Sequence, residues 1–170
     1  MKNRISRTLS TVALLAGSIT GTFAATSAPA QAASCSYSAR EATVSVYTVA
    51  THTYLGYVEL LYAANCYRVE AHFHVDASFS RNHSGWNIGL ETWNDKSKPN
   101  QLSELDWNNS SASDFYGPSV SIYGYPDENF GVLIDWSYDA CPTMTMSSNW
   151  HNFSNGQEVP MGFGDSTPGC

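Results

Sequence analysis

The sequence predicts an all-β fold: a disulfide-bridged sandwich or barrel of antiparallel strands. Three observations lead there. The stretch from Tyr67 to Phe79 alternates apolar and polar residues without a break, the period of a half-buried strand. Other short apolar runs follow, separated by turn formers, and no segment carries a helical stripe. Four cysteines (Cys35, Cys66, Cys141 and Cys170) stand behind an export leader, and an even cysteine number in an oxidising compartment points to disulfides.

The leader comes first. Lys2, Arg4 and Arg7 precede an apolar stretch running from Leu9 through Leu15 and Ile19 to Ala25, and small residues lead to Ala30-Gln31-Ala32. Basic start, apolar middle and Ala-x-Ala end are the three parts of a signal peptide. The expected organisation is a signal peptide over 1–32 and a single secreted, extracellular β-rich domain over 33–170. Gly17, Ser18, Thr20 and Gly21 interrupt the apolar run, so it is a poor membrane span, and no span is expected after processing. A lipid anchor on Cys35 would want a Leu-type residue where Ala32 stands.

Four cysteines allow three pairings. Cys35 with Cys66 and Cys141 with Cys170 is the favoured one. Each bridge closes a loop of about 30 residues, which stabilises by roughly 3 kcal/mol in the chain-entropy model. No Cys-x-x-Cys pair suggests zinc instead. Of 8 Lys and Arg residues, 3 lie in the leader, leaving 5 against 15 Asp and Glu and a net charge of −10. That repels phosphates and argues against nucleic acid or an anionic membrane as partner.

Along the domain, Val44–Val49 alternates, and Tyr57–Tyr62 is apolar almost throughout, as in a strand covered on both faces. In the Tyr67–Phe79 strand, Val69, Ala71, Phe73 and Val75 should face the core, and Arg68, Glu70, His72, His74 and Asp76 the solvent. Further strands are expected at Trp86–Trp93, Ser119–Tyr125, Gly131–Tyr138 and Thr143–Ser148. Pro126–Asn129 reads as a hairpin loop, and Asn94–Pro99 and Asn108–Ser113 as polar loops.

The run Gly56-Tyr57-Val58-Glu59-Leu60-Leu61-Tyr62 is followed by Cys66 and preceded by Cys35 and Ala42-Thr43-Val44. It resembles the core of a family of small secreted bacterial domains of unknown function, roughly Gly-x-Val-Glu-Leu-Arg-Tyr-Ser-x-x-Cys-x-x-x-Trp-Ala-Arg. The resemblance covers Cys35 to about Phe73. Leu61 stands where Arg is usual, Ala63 where Ser is, and Glu70 and His72 flank Ala71 where Trp and Arg are expected. The resemblance implies a β-rich secreted domain and a structural role for Cys66, and it brings no catalytic residues.

Two sets of residues carry possible chemistry. Four tryptophans have Asn or Asp beside them: Trp86, Trp93, Trp107 and Trp150. An indole next to amides and carboxylates suits a sugar ring, with its apolar face and hydroxyl edges; the same aromatics would equally fill a β core. The second set is Glu70, His72, His74 and Asp76. His-x-His on one strand points both imidazoles the same way, and two histidines with a carboxylate are a common transition-metal set. No further ligand is visible, so the expectation is a solvated face, no tight metal site and no cofactor. On that reading His72 and His74 could be removed together within about 0.5 kcal/mol. Asp106–Ser110 with Asp114 is a loose echo of a calcium loop, but Ser111 and Gly117 stand where Gly and Glu are required. There is no Gly-x-Ser-x-Gly elbow; a dispersed triad or carboxylate pair stays open. The leading expectation is a secreted, non-catalytic binding domain, its ligand an extracellular polysaccharide or a cell-surface component. A small secreted enzyme, metal-dependent through His72 and His74, is the alternative, and a secreted inhibitor or toxin a further one.

Overall fold

The structure is a computed structural model that describes residues 34–48, 51–83, 85–95, 100–125, 127–138 and 143–162. In chain order the elements are β1 (Ala39–Tyr47), β2 (Tyr54–Ala63), β3 (Arg68–Val75), α1 (Ala77–Ser80), β4 (Trp86–Asn94), β5 (Asn100–Ser110), β6 (Asp114–Tyr116), β7 (Val120–Ser121), β8 (Asn129–Ser137), β9 (Met144–Ser147), β10 (Asn149–Asn152) and β11 (Glu158–Pro160). They form two antiparallel sheets. The first has the order β1-β2-β3-β6, with β7 also on β3; the second has β11-β10-β8-β4-β5, with β9 also on β8. The all-β sandwich expected from the alternation is what the chain forms.

The apolar face of β3 meets that of the second sheet. Val69, Ala71, Phe73 and Val75 are all fully buried, and Phe73 stands edge-on to Trp136 of β8 at 5.3 Å. Trp86 stacks on Trp136 at 5.5 Å, and Phe79 and Tyr138 close the same seam. Each such side chain contributes roughly 1.5–3 kcal/mol by leaving water, so this aromatic seam is a main source of cohesion between the sheets. β2 is buried on both faces, as its unbroken apolar run predicts, and Glu59 in its middle is completely inaccessible.

Local chemistry fixes several boundaries. β3 ends at Val75 rather than continuing to Phe79, because the Asp76 side chain caps the single helical turn of α1 by accepting from the Ser78 amide at 2.7 Å. Phe79 nevertheless points inward from that turn. Gly56 has φ of 151°, and a Cβ there would lie 1.8 Å from the carbonyl oxygen of His74, so only glycine permits this close β2–β3 pairing. The Cys35–Cys66 disulfide forms as favoured and spans 31 residues. It ties the segment before β1 to the β2–β3 hairpin, and Asn65 accepts from the Ser36 amide at 3.0 Å and donates to the Ser34 carbonyl at 3.1 Å. Cys141 and Cys170 lie outside the described residues.

Other expectations need correction. β5 runs through Asn108–Ser110, so the polar loop begins only at Ser111; paired extension, not residue type, decides this stretch. The expected Ser119–Tyr125 strand shrinks to Val120–Ser121. β7 and β8 do not form the hairpin expected around Pro126–Asn129, because β7 pairs with β3 and β8 with β4, which puts these consecutive strands in different sheets; Pro126 itself lies outside the described residues.

Candidate functional site

On the outer face of the first sheet the strand register lays out a grid of polar side chains. Glu59 lies opposite His72 and His72 opposite Tyr116; Tyr57 lies opposite His74 and His74 opposite Asp114. Directly opposed side chains in an antiparallel pair are within contact distance, and these interact. Nδ1 of His72 is 2.7 Å from Glu59 Oε1, and its Nε2 is 3.2 Å from Asp114 Oδ1. The same Asp114 oxygen is 2.7 Å from Nδ1 of His74. Thr43 Oγ1 donates to Glu59 at 3.2 Å, and Arg40 approaches it at 3.6 Å. The Tyr116 ring stacks on His72 with centroids 4.5 Å apart, and Tyr57 stacks on His74 at 4.9 Å.

Beside this network an open cavity of about 370 Å³ is lined by Tyr37, Arg40, Glu59, Glu70, His72 and Tyr116, among others. Two carboxylates differ electrically, Glu70 in the cavity and Asp114 in the network beside it. Burial pushes the Glu70 carboxyl above its ordinary pKa, with His72 partly offsetting the rise. Burial works against the charge of Asp114 too, but hydrogen bonds from His74, Ser113 and His72 outweigh it and hold its pKa below the ordinary value.

The solvated-face expectation for His72 is therefore corrected: His72 is 3% exposed, because Tyr116 stacks on its ring and Glu59 and Asp114 flank its two nitrogens. Nor do His72 and His74 converge on a common metal position with Glu70 and Asp76. The two histidines share Asp114 as a hydrogen-bond partner, Glu70 lines the cavity, and Asp76 caps α1.

The tryptophans are placed differently from a sugar-stacking platform. Trp86 and Trp150 are buried. Trp107 is half-buried against the core with its edge to Phe115 at 5.2 Å, and Trp93 is half-buried, its Nε1 donating to Glu91 at 2.5 Å. Asp106 and Asn108, from the calcium-like segment, lie on extended β5 and border a shallow hollow of about 200 Å³ with Asn87, Glu104 and Asp135. Among the described residues the exposed large aromatics are tyrosines. Tyr67 and Tyr123 flank a cleft of about 390 Å³ with Tyr62, Ile122 and Phe153.

Sequence reasoning found His72, His74 and Glu70 but missed Glu59, Asp114, Arg40, Tyr37 and Tyr116. Glu59 left a signal, a lone acid inside an apolar run, since a buried carboxylate demands a partner. Asp114 and Tyr116 left none, because β6 is only three residues long and pairs with β3 some 40 residues away.

No family model, no curated protein and no solved structure matches this chain. Function must be read from the side chains of the site itself.

Proposed function

We propose that this domain works outside the cell as a non-catalytic binding module whose ligand is a carbohydrate unit of an extracellular polymer, held on the outer face of the first sheet. The observation that carries the reading is the cavity in which two tyrosine rings, Tyr37 and Tyr116, meet polar side chains, Arg40, Glu59, Glu70 and His72. A concave site with aromatic surface and a few convergent polar groups suits a ligand with apolar faces and hydroxyl edges. Arg40 keeps 63% of its side chain in solvent and so has donors to spare for hydroxyls. A disulfide within the domain agrees with an oxidising extracellular setting.

Binding is favoured over catalysis by the placement of His72. Glu59 Oε1 lies 2.7 Å from its Nδ1 and Asp114 Oδ1 lies 3.2 Å from its Nε2. Both ring nitrogens are already engaged within the sheet, so neither is free to reach a proton on a ligand in the cavity, the contact a general base requires. The ring instead holds two carboxylates in place and carries Tyr116.

The test is calorimetric titration of the disulfide-bonded protein with a panel of soluble oligosaccharides. At least one should bind, and Tyr116→Ala should weaken it by about tenfold, the equivalent of one stacking contact of about 1.4 kcal/mol, with little change in melting temperature. Absence of binding across the panel, or unchanged affinity in Tyr116→Ala, overturns the assignment. Release of new reducing ends during the titration transfers it to an enzyme.

A further inference from the structure

A second constellation lies away from that face, where β1 meets β10 and β11. Glu41 comes from β1, His151 from β10 and Glu158 from β11. One donor atom from each lies within 4.8 Å of the other two. His151 Nδ1 is 3.7 Å from Glu41 Oε2 and 3.6 Å from Glu158 Oε1. Both separations exceed hydrogen-bonding distance.

The histidine makes this more than an acidic cluster. Its side chain is 9% exposed, and its Nδ1 is a buried atom with no hydrogen-bond partner among the described residues. Buried polar atoms are nearly always satisfied, and one that is not calls for an explanation. Here the unsatisfied nitrogen faces two carboxylates across a gap too wide for a hydrogen bond. Two ligands of a tetrahedral ion at about 2.1 Å stand roughly 3.4 Å apart, so the observed 3.6 and 3.7 Å need only a small inward adjustment.

We propose that Glu41, His151 and Glu158 bind a divalent transition-metal ion, zinc being the best match, which clasps an edge of the first sheet to the second. The imidazole selects the class: zinc accepts nitrogen and carboxylate oxygen together, whereas calcium and magnesium take oxygen ligands. Glu41 and Glu158 are 29% and 37% exposed, which leaves an entry path and room for a water as fourth ligand. The surrounding backbone is already shaped. β1 changes register between Glu41 and Val44, Ala42 sits there at φ of 55°, and its amide donates to Glu158 Oε1 at 2.8 Å. That bond orients the carboxylate toward His151.

The experiment is dialysis of the purified disulfide-bonded protein against zinc chloride and then against metal-free buffer, with retained zinc measured by mass spectrometry. Wild type should keep about one equivalent, and zinc should raise its melting temperature. Glu41→Gln is the cleaner variant, because among the described residues the Glu41 carboxylate holds no backbone amide, whereas Glu158 holds Ala42. It should fold, weaken zinc by at least about tenfold and lose the zinc-dependent rise in melting temperature. His151→Ala should lose both as well. His74→Gln, at the more exposed histidine of the other face, should retain zinc, which separates this site from the His-x-His face. Calcium in millimolar excess should not displace the ion. Retention far below one equivalent in wild type, unchanged retention in Glu41→Gln, or displacement by calcium overturns the proposal.

Discussion

Glu59 and His72 are the residues on which the outer face of the first sheet depends. Glu59 is fully buried and His72 nearly so, and polar groups taken out of water are tolerated only when hydrogen-bonded. Removing one member leaves the other unsatisfied, so His72→Ala should destabilise by about 2–3 kcal/mol. His74 is partly exposed and has only Asp114 and the Tyr57 ring as neighbours in the network; His74→Ala should lose less than about 1 kcal/mol. Urea denaturation of the two variants checks this, and equal losses would mean that the network is not organised around Glu59. The carboxylates respond to pH with opposite signs. Glu70 has a raised pKa, chiefly from burial, so the folded protein holds this proton more tightly than the unfolded chain. Its unfavourable contribution appears as pH rises from the ordinary value of 4.5 through the folded value, and it is fully present above that. Glu70→Gln should therefore raise the melting temperature at pH 7, and the difference should close below pH 4.5; a lower melting temperature at pH 7 would contradict it. Asp114 is lowered, so its stabilising contribution is present above 3.8 and lost as acid takes the pH down through its folded value.

At the scale of elements, the β2–β3 hairpin organises the site, and most of it was legible. Alternation placed Val69, Ala71, Phe73 and Val75 on the core face because a strand's period is two and every second residue meets the same neighbour. The end of β3 was not legible from alternation: Ala77 and Phe79 continue the pattern, and only the capping bond of Asp76 to Ser78 shows that the backbone has turned. β5, β10 and β11 escaped for a different reason. β5 and β10 are mostly polar and β11 is only three residues long, and they become strands by pairing with partners already in place. Gly56 stands at the start of the hairpin's tight pairing. Gly56→Ala drives a methyl group into the His74 carbonyl and should destabilise by more than about 2 kcal/mol. Because this backbone carries His74 and its neighbours, ligand affinity should fall along with the melting temperature. A variant as stable as wild type would mean that the hairpin tolerates a wider spacing than the one described.

Across the whole molecule, composition spoke more clearly than detail. The excess of acid over base, with 15 Asp and Glu against 8 Lys and Arg, disfavours phosphate-rich partners, and the cysteine arithmetic favoured the Cys35–Cys66 bridge. The proposed ligand platform was not legible. The sequence cannot say which aromatics are spent in the core, and Trp86, Trp136 and Trp150 are, leaving tyrosines to face outward. The bridge should matter for the site as well as for the fold, since it fastens the segment carrying Tyr37 to the hairpin carrying Glu59 and His72. Cys35→Ser with Cys66→Ser should cost about 2–4 kcal/mol in denaturant unfolding; no loss would mean that the hydrogen bonds of Asn65 suffice to hold that segment. The central claim is that the outer face of the first sheet receives the ligand, and nuclear magnetic resonance tests it most directly. Isotope-labelled protein would be titrated with an oligosaccharide that binds in the calorimeter, and amide shift changes mapped by residue. Saturable changes centred on Tyr37, Arg40, Glu70, His72 and Tyr116 are the predicted result. Changes centred instead on the cleft of Tyr67, Tyr123 and Phe153, or on the hollow of Asp106 and Asp135, would contradict it.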